Sequence, residues 1–156
     1  ETQEEPVKEE PMERPTGYER ASLGEKYFFE DLTTTVHCYN ENHSTYDTKI
    51  YDIGNYYTDE KLAVNNSRAD RLMRQLRRYA AMHGGMVFPH HPLAAREKSY
   101  YICYNDLNEL YIDEHFGYIV QFGGIYFKEK QAAKQAIEEF RPELEWYFTE
   151  YEPQLV

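Results

Sequence analysis

Five arginines, Arg68, Arg71, Arg74, Arg77 and Arg78, fall close together in this chain. Their spacing of three and four residues suits one side of a helix. At 100° per residue, Leu62, Ala69, Leu72, Met73, Leu76, Tyr79 and Ala80 share an apolar face, and Arg71, Arg74 and Arg78 sit nearly opposite its centre. A guanidinium presents a planar fork of donors that fits carboxylate and phosphate. Three chemistries follow: a grip on an acidic protein surface, a grip on a nucleic-acid backbone, or a solvated face that pairs with acids of the same chain or of a second copy.

Tyrosine is the second candidate group. Tyr100, Tyr101, Tyr104, Tyr111, Tyr118 and Tyr126 lie in segments with strand character. Alternation turns some of them outward, and Tyr101 and Tyr111 are the expected partner contacts beside the arginines. An exposed ring on a sheet stacks on a base or anchors a protein interface. The structural alternative is cross-strand and core packing. The aromatic signature of an RNA-recognition sheet is absent.

Catalytic and metal chemistry find little support. His37, His43, His83, His90, His91 and Cys38 are potential ligands, but no Cys-x-x-Cys or His-x-x-x-His spacing occurs. Cys38 and Cys103 lack a nucleophile motif and read as reduced thiols. There is no P-loop. Pairs of carboxylates such as Asp113-Glu114 and Glu138-Glu139 are too common here to mark a site. The expectation is a non-enzymatic protein with no catalytic residue, no cofactor and no metal.

Charge narrows the partners. Seventeen basic and 28 acidic residues among 156 give a net charge of −11. Such a chain repels phosphate backbones at long range, so any nucleic-acid contact must come from a local basic face. An aromatic fraction of 16% argues for a packed core. No run of about 18 apolar residues marks a membrane span. The first residues are acidic where a secretory leader would be basic, so the expected compartment is the cytoplasm.

Residues 1–25, rich in Glu and Pro, read as a disordered acidic tail. From Lys26 to residue 156 the pattern predicts a single α+β domain. Strands are expected at Tyr27–Phe29, Thr33–Asn40 and Ile50–Tyr57. A helix capped by Thr58 follows and ends at Gly84-Gly85. After a His/Pro connector over 86–97, strands are expected at Ser99–Asn105, Glu109–His115 and Tyr118–Phe127. A helix from Lys128 to Phe140 comes next, and Pro142 opens a short terminal one.

These are two related β-β-β-α units, about 26–85 and 98–148. Ile53-Gly54-Asn55-Tyr56-Tyr57-Thr58-Asp59-Glu60-Lys61-Leu62-Ala63 aligns with the eleven residues from Phe122 to Ala132, and Glu25-Lys26 with Glu97-Lys98. Cys38-Tyr39-Asn40 and Cys103-Tyr104-Asn105 match in another register, read as chance. The apolar C-terminal residues Trp146, Phe148, Leu155 and Val156 either pack within the chain or seal a homodimer.

An aromatic strand after Lys26, a turn, and Ile53-Gly54-Asn55-Tyr56-Tyr57 running into Thr58-Asp59-Glu60-Lys61-Leu62-Ala63 resemble a family of small proteins encoded by phages and prophages of Gram-positive bacteria. Lys98–Tyr101, Leu110–Asp113 and Gln121–Phe127 with the following Glu129-Lys130-Gln131-Ala132-Ala133 fit the same pattern. The resemblance covers residues 24–148. It departs at Phe127, where Ser or Thr is usual, and in the His/Pro connector. It implies an accessory phage protein in a bacterial host cytoplasm, with no catalytic residue to carry over. By analogy with anti-CRISPR proteins, the expected partner is a host protein, such as a nucleic-acid-handling defence factor. Direct nucleic-acid binding through the arginines and sheet tyrosines is the alternative.

Overall fold

The computed structural model describes residues 14–87, 98–116 and 121–155. The order of elements is β1 (Lys26–Glu30), β2 (Val36–Asn40), α1 (Thr45–Asp52), α2 (Glu60–Met82), β3 (Lys98–Tyr104), β4 (Leu110–Phe116) and α3 (Lys130–Thr149). Among the described residues, strands pair as two antiparallel hairpins, β1 with β2 and β3 with β4, so the fold is α+β. The described residues divide into two compact units. One comprises those up to Val64 together with those from Glu152, and the other is Asn65–Tyr151.

The first unit starts ahead of Lys26, the boundary that composition suggested. The Glu19 carboxylate accepts from the Thr16 hydroxyl, and from the Thr16 and Gly17 N–H groups at 2.6 and 2.9 Å. These bonds hold its pKa down to about 2. Ala21 is buried and packs with Tyr27, Phe29 and Tyr56. The expected tail therefore gives way to folded chain by Thr16, and residues 1–13 lie outside the described part. Gly17 adopts φ +91°, and a Cβ there would lie 2.5 Å from Leu62 Cδ2, so no other residue fits without displacement. Leu155 closes on the same spot: its N–H reaches Thr16 C=O at 3.1 Å, and its side chain packs beside Tyr57, Leu62 and Ala63.

A third strand over Ile50–Tyr57 does not form. Ser44 and Asp47 make a capping box, Asp47 N–H to Ser44 Oγ at 3.1 Å and Ser44 N–H to Asp47 Oδ2 at 3.0 Å. That cap starts α1 and outweighs the β-propensity of Ile50 and Tyr51. Only one bridge, Phe28 with Tyr57, survives of the expected strand.

In the second unit, the buried stripe of α2 (Leu72, Leu76, Ala80) meets Ala132, Ala133, Ala136, Ile137 and Leu144 of α3 and Phe127. Tyr100, Ile102, Leu110 and Ile112 of the hairpin pack on this core from one sheet face. The expected third strand again shrinks to bridges, Phe127 with Tyr100 and with Met86, while residues 118–120 lie outside the described part. α3 runs through Pro142 as one element kinked at Phe140 (φ −109°, ψ 17°). The proline ring cannot accommodate an unbroken helix, which is the cause of the kink. Trp146 is buried within this unit, and Phe148 stacks on Tyr104 with centroids 5.3 Å apart.

The internal repeat is visible in equivalent bonds. Phe28 and Tyr100 each exchange both backbone hydrogen bonds with a residue just ahead of a long helix, Tyr57 and Phe127. Tyr56 and Tyr126 are both buried, and each phenolic oxygen accepts a backbone N–H, from Ala21 at 3.1 Å and Gln121 at 3.0 Å. Gly54 and Gly123, at φ +74° and +76°, also correspond. The pairing of Tyr57 with Tyr126 that the sequence suggests is off by one, because the second unit carries an extra residue between its glycine turn and its bridge. Lys26 and Lys98 open β1 and β3 as aligned, whereas Cys38 and Cys103 lie on non-equivalent strands.

Candidate interaction surface

The arginines are positioned by α2, whose start is fixed by Asp59 rather than the expected Thr58. Asp59 Oδ1 accepts the Leu62 N–H at 2.8 Å. Its end is fixed by glycines: Gly84 and Gly85 both take positive φ, and Gly85 N–H reaches Ala80 C=O at 2.9 Å. From Asn65 on, the apolar stripe (Leu72, Leu76, Ala80) faces the core of the second unit. Arg71, Arg74 and Arg78 are exposed on the opposite side, and Arg77 is exposed on its flank. Arg71, Arg77 and Arg78 form no ion pair among the described residues.

Arg68 is different. Its guanidinium makes a two-pronged ion pair with Glu143 (2.8 and 3.0 Å) and lies 4.0 Å over the Trp146 ring. The carboxylate raises the Arg68 pKa, and the arginine in turn lowers that of Glu143. All three residues belong to the second unit, so Arg68 joins α2 to α3 and its donors are committed internally. Arg68→Ala is expected to lower the unit's unfolding free energy by about 1 kcal/mol through loss of the pair and the ring contact. A urea titration followed by the fluorescence of Trp146, the chain's one tryptophan, measures it.

Tyr101 and Tyr111 share the hairpin face that points away from Tyr100 and Ile102, flanking Cys103. Tyr101 is half-buried, set edge-on to His115 and Tyr126, and its hydroxyl donates to Asp113 at 3.2 Å. Burial first, and then Asp113, push its pKa up to about 12. It is a packed ring rather than a free stacking platform. Tyr111 is exposed. Arg71, Arg74 and Arg78 leave α2 on the side opposite its buried stripe, while Tyr101 borders Leu72, Met73 and Leu76 of the same helix. Burial also raises the Cys103 thiol pKa, the reverse of what a nucleophile needs.

One polar constellation has no local signature in the sequence. Glu41 is fully buried in the first unit. It accepts from Arg20 Nε and Nη2 (both 3.2 Å), the Tyr56 hydroxyl (2.7 Å) and the His43 N–H (2.7 Å). Beside it, buried Asp47 accepts from the Tyr27 hydroxyl at 2.7 Å, and the two tyrosine rings stack at 4.2 Å. Arg20 holds the Glu41 pKa down, and Tyr27 does the same for Asp47. Tyr27 and Tyr56 are both pushed up, by burial first and then by their carboxylates. The carboxylates are fully engaged by protein donors, so the cluster braces the unit and offers no free base.

Among the described residues, no group of three His, Cys, Asp or Glu side chains is placed to hold a metal ion. His37 is taken by Asp31 at 2.7 Å and His83 by the Tyr79 carbonyl at 2.8 Å, while His90 and His91 lie outside the described residues. No described helix is long and apolar enough to cross a membrane. No family model matches the chain, and no curated protein or solved structure matches it.

Proposed function

We propose that the chain is a non-enzymatic binding protein of phage or prophage origin, acting in a bacterial cytoplasm by engaging a host protein through the arginine face of α2. The observation that carries this reading is the display of Arg71, Arg74 and Arg78 on the solvent side of a helix with both ends capped, in a chain of net charge −11. Segregating cations this way opposes the chain's overall charge and gives a rigid, directional patch for carboxylates. The class of partner in view is a host nucleic-acid-handling defence factor that presents acidic side chains to this face.

Arg71→Glu/Arg74→Glu/Arg78→Glu is expected to abolish capture of the partner from a Gram-positive lysate. All three sites are exposed, so the melting temperature should stay within about 2 °C. Capture must survive nuclease treatment. Retention by the triple variant removes α2 as the contact. Loss of the captured material with nuclease transfers the surface to nucleic acid.

A further inference from the structure

In the first unit, β1 has a backbone partner on both sides and β2 on one. Phe28 exchanges both of its backbone hydrogen bonds with Tyr57, at 2.7 and 2.9 Å, so its N–H and C=O point away from β2. Its register partner Cys38 is therefore in a non-hydrogen-bonded pair, and two-residue alternation puts Val36 and Asn40 in the same phase. The Asp31 N–H to Thr35 C=O bond at 2.9 Å, on the alternate positions, agrees. The backbone groups of Val36, Cys38 and Asn40 thus face away from β1. Among the described residues only the Asn40 C=O finds a partner there, Asn42 Nδ2 at 3.1 Å, and its second lone pair remains. Solvent reaches the strand: Cys38, Tyr39 and Asn40 are all exposed.

Exposed edge strands are normally guarded against pairing by charge, proline or a bulge. β2 has none of these. Val36-His37-Cys38-Tyr39-Asn40 contains no Lys, Arg, Asp, Glu or Pro, and its register with β1 is unbroken. The other three strands all carry charge: Lys26 and Glu30, Lys98, and Asp113 with Glu114. A net charge of −11 opposes the approach of a second copy, and β2 is where that repulsion is locally absent. The nearest acids along the chain are taken up within it, Asp31 by His37 at 2.7 Å and buried Glu41 by Arg20. The bonding phase is also self-complementary. Two β2 strands can pair antiparallel about a two-fold axis, Cys38 opposite Cys38 and Val36 opposite Asn40. His37 of each copy then faces Tyr39 of the other in a close aromatic pair. The axis runs perpendicular to the sheet, so both α1 helices lie on one face. Tyr39 and Tyr46 sit on that face, 48% and 49% exposed in the single chain with ring centroids 6.1 Å apart, and pairing covers them with their counterparts.

We infer that β2 is a self-association edge, which takes the β2 strand of a second copy to build a continuous four-stranded sheet. Backbone bonds at Val36, Cys38 and Asn40 set the register, and the Tyr39 and Tyr46 rings supply the apolar contact. The contact is small, so the dimer is weak and depends on concentration. It lies wholly within the first unit and stands whether or not the α2 arginines bind a host protein.

Sedimentation equilibrium of the full chain from about 10 µM to about 1 mM covers the range of a weak interface. The weight-average mass should rise from monomer toward dimer. Over the same range, amide exchange at Val36, Cys38 and Asn40 should slow by about tenfold or more, while His37 and Tyr39, bonded to β1, stay protected throughout. Cys38→Lys and Cys38→Glu each set like charges against each other at the axis, so each alone should remain monomeric. An equimolar mixture of the two should associate, because the opposed charges then attract. Circular dichroism checks that both variants fold, and the exchange measurement on the unaltered chain needs neither of them. The α2 triple variant should dimerise as the unaltered chain does, which separates failure here from failure of the α2 reading. Four outcomes overturn the inference: a mass that stays monomeric over the whole range, edge amides already protected in the monomer, a dimer that persists in Cys38→Lys, or no association in the mixture.

Discussion

Phe127→Ala is expected to destabilise the second unit by about 3–5 kcal/mol. The ring is 1% exposed and sits where the α2 and α3 stripes meet. Its backbone also bridges Tyr100 and Met86, so a cavity here loosens the contact that seats the hairpin on the helices. With a urea dependence of about 1–2 kcal/mol per molar, the midpoint reported by Trp146 fluorescence should fall by roughly 2 M or more. Against a typical total of about 5–15 kcal/mol, that leaves little margin. Phe127→Leu fills most of the space and should cost less than half as much. Equal shifts for the two variants would show that the ring is not a keystone of this core.

Glu41→Gln is expected to cost the first unit about 2–3 kcal/mol, although the side chain keeps its shape. Every side-chain or backbone group aimed at Glu41 is a donor: two guanidinium nitrogens, a phenol and a backbone N–H. A carboxylate accepts at both oxygens, whereas an amide must turn its own NH₂ toward one of these donors. The effect should depend on pH. The folded-state pKa of Glu41 lies below its ordinary value of 4.5, so the unfolded chain takes up the proton first on acidification. The stabilisation is complete at neutral pH and declines as the pH falls below about 4.5. The gap between wild type and Glu41→Gln should close over that range. Amide exchange of Tyr27 and Phe29, measured between pH 7 and pH 3, tests both parts. A gap constant with pH would assign the loss to packing rather than to the ionised carboxylate.

The sequence by itself determined the elements whose signals are local. Both hairpins follow from aromatic and β-branched runs around turn residues. The long arginine-bearing helix follows from 3.6-residue periodicity and its glycine stop, and its apolar stripe predicts the outward position of Arg71, Arg74 and Arg78. The repeat is also legible, because glycine turns and helix starts leave residue-type traces, though a one-residue insertion hides its register at Tyr57 and Phe127.

Tertiary structure decided what depends on residues far apart in the chain. Ile50 has strand propensity, yet the Ser44–Asp47 cap and a place beside Tyr27 and Phe29 make it helical. Arg20 and Glu41 lie 21 positions apart, and Arg68 and Glu143 lie 75 apart. Spacing carries no trace of such pairs, since a charged side chain looks the same in sequence whether solvated or buried. Arg68 shares the basic run with Arg71, but only the arrival of Trp146 and Glu143 turns it inward. The bridge that seats Phe127 on Tyr100 of β3 is likewise invisible in sequence, because the two residues meet only when the chain folds back on itself.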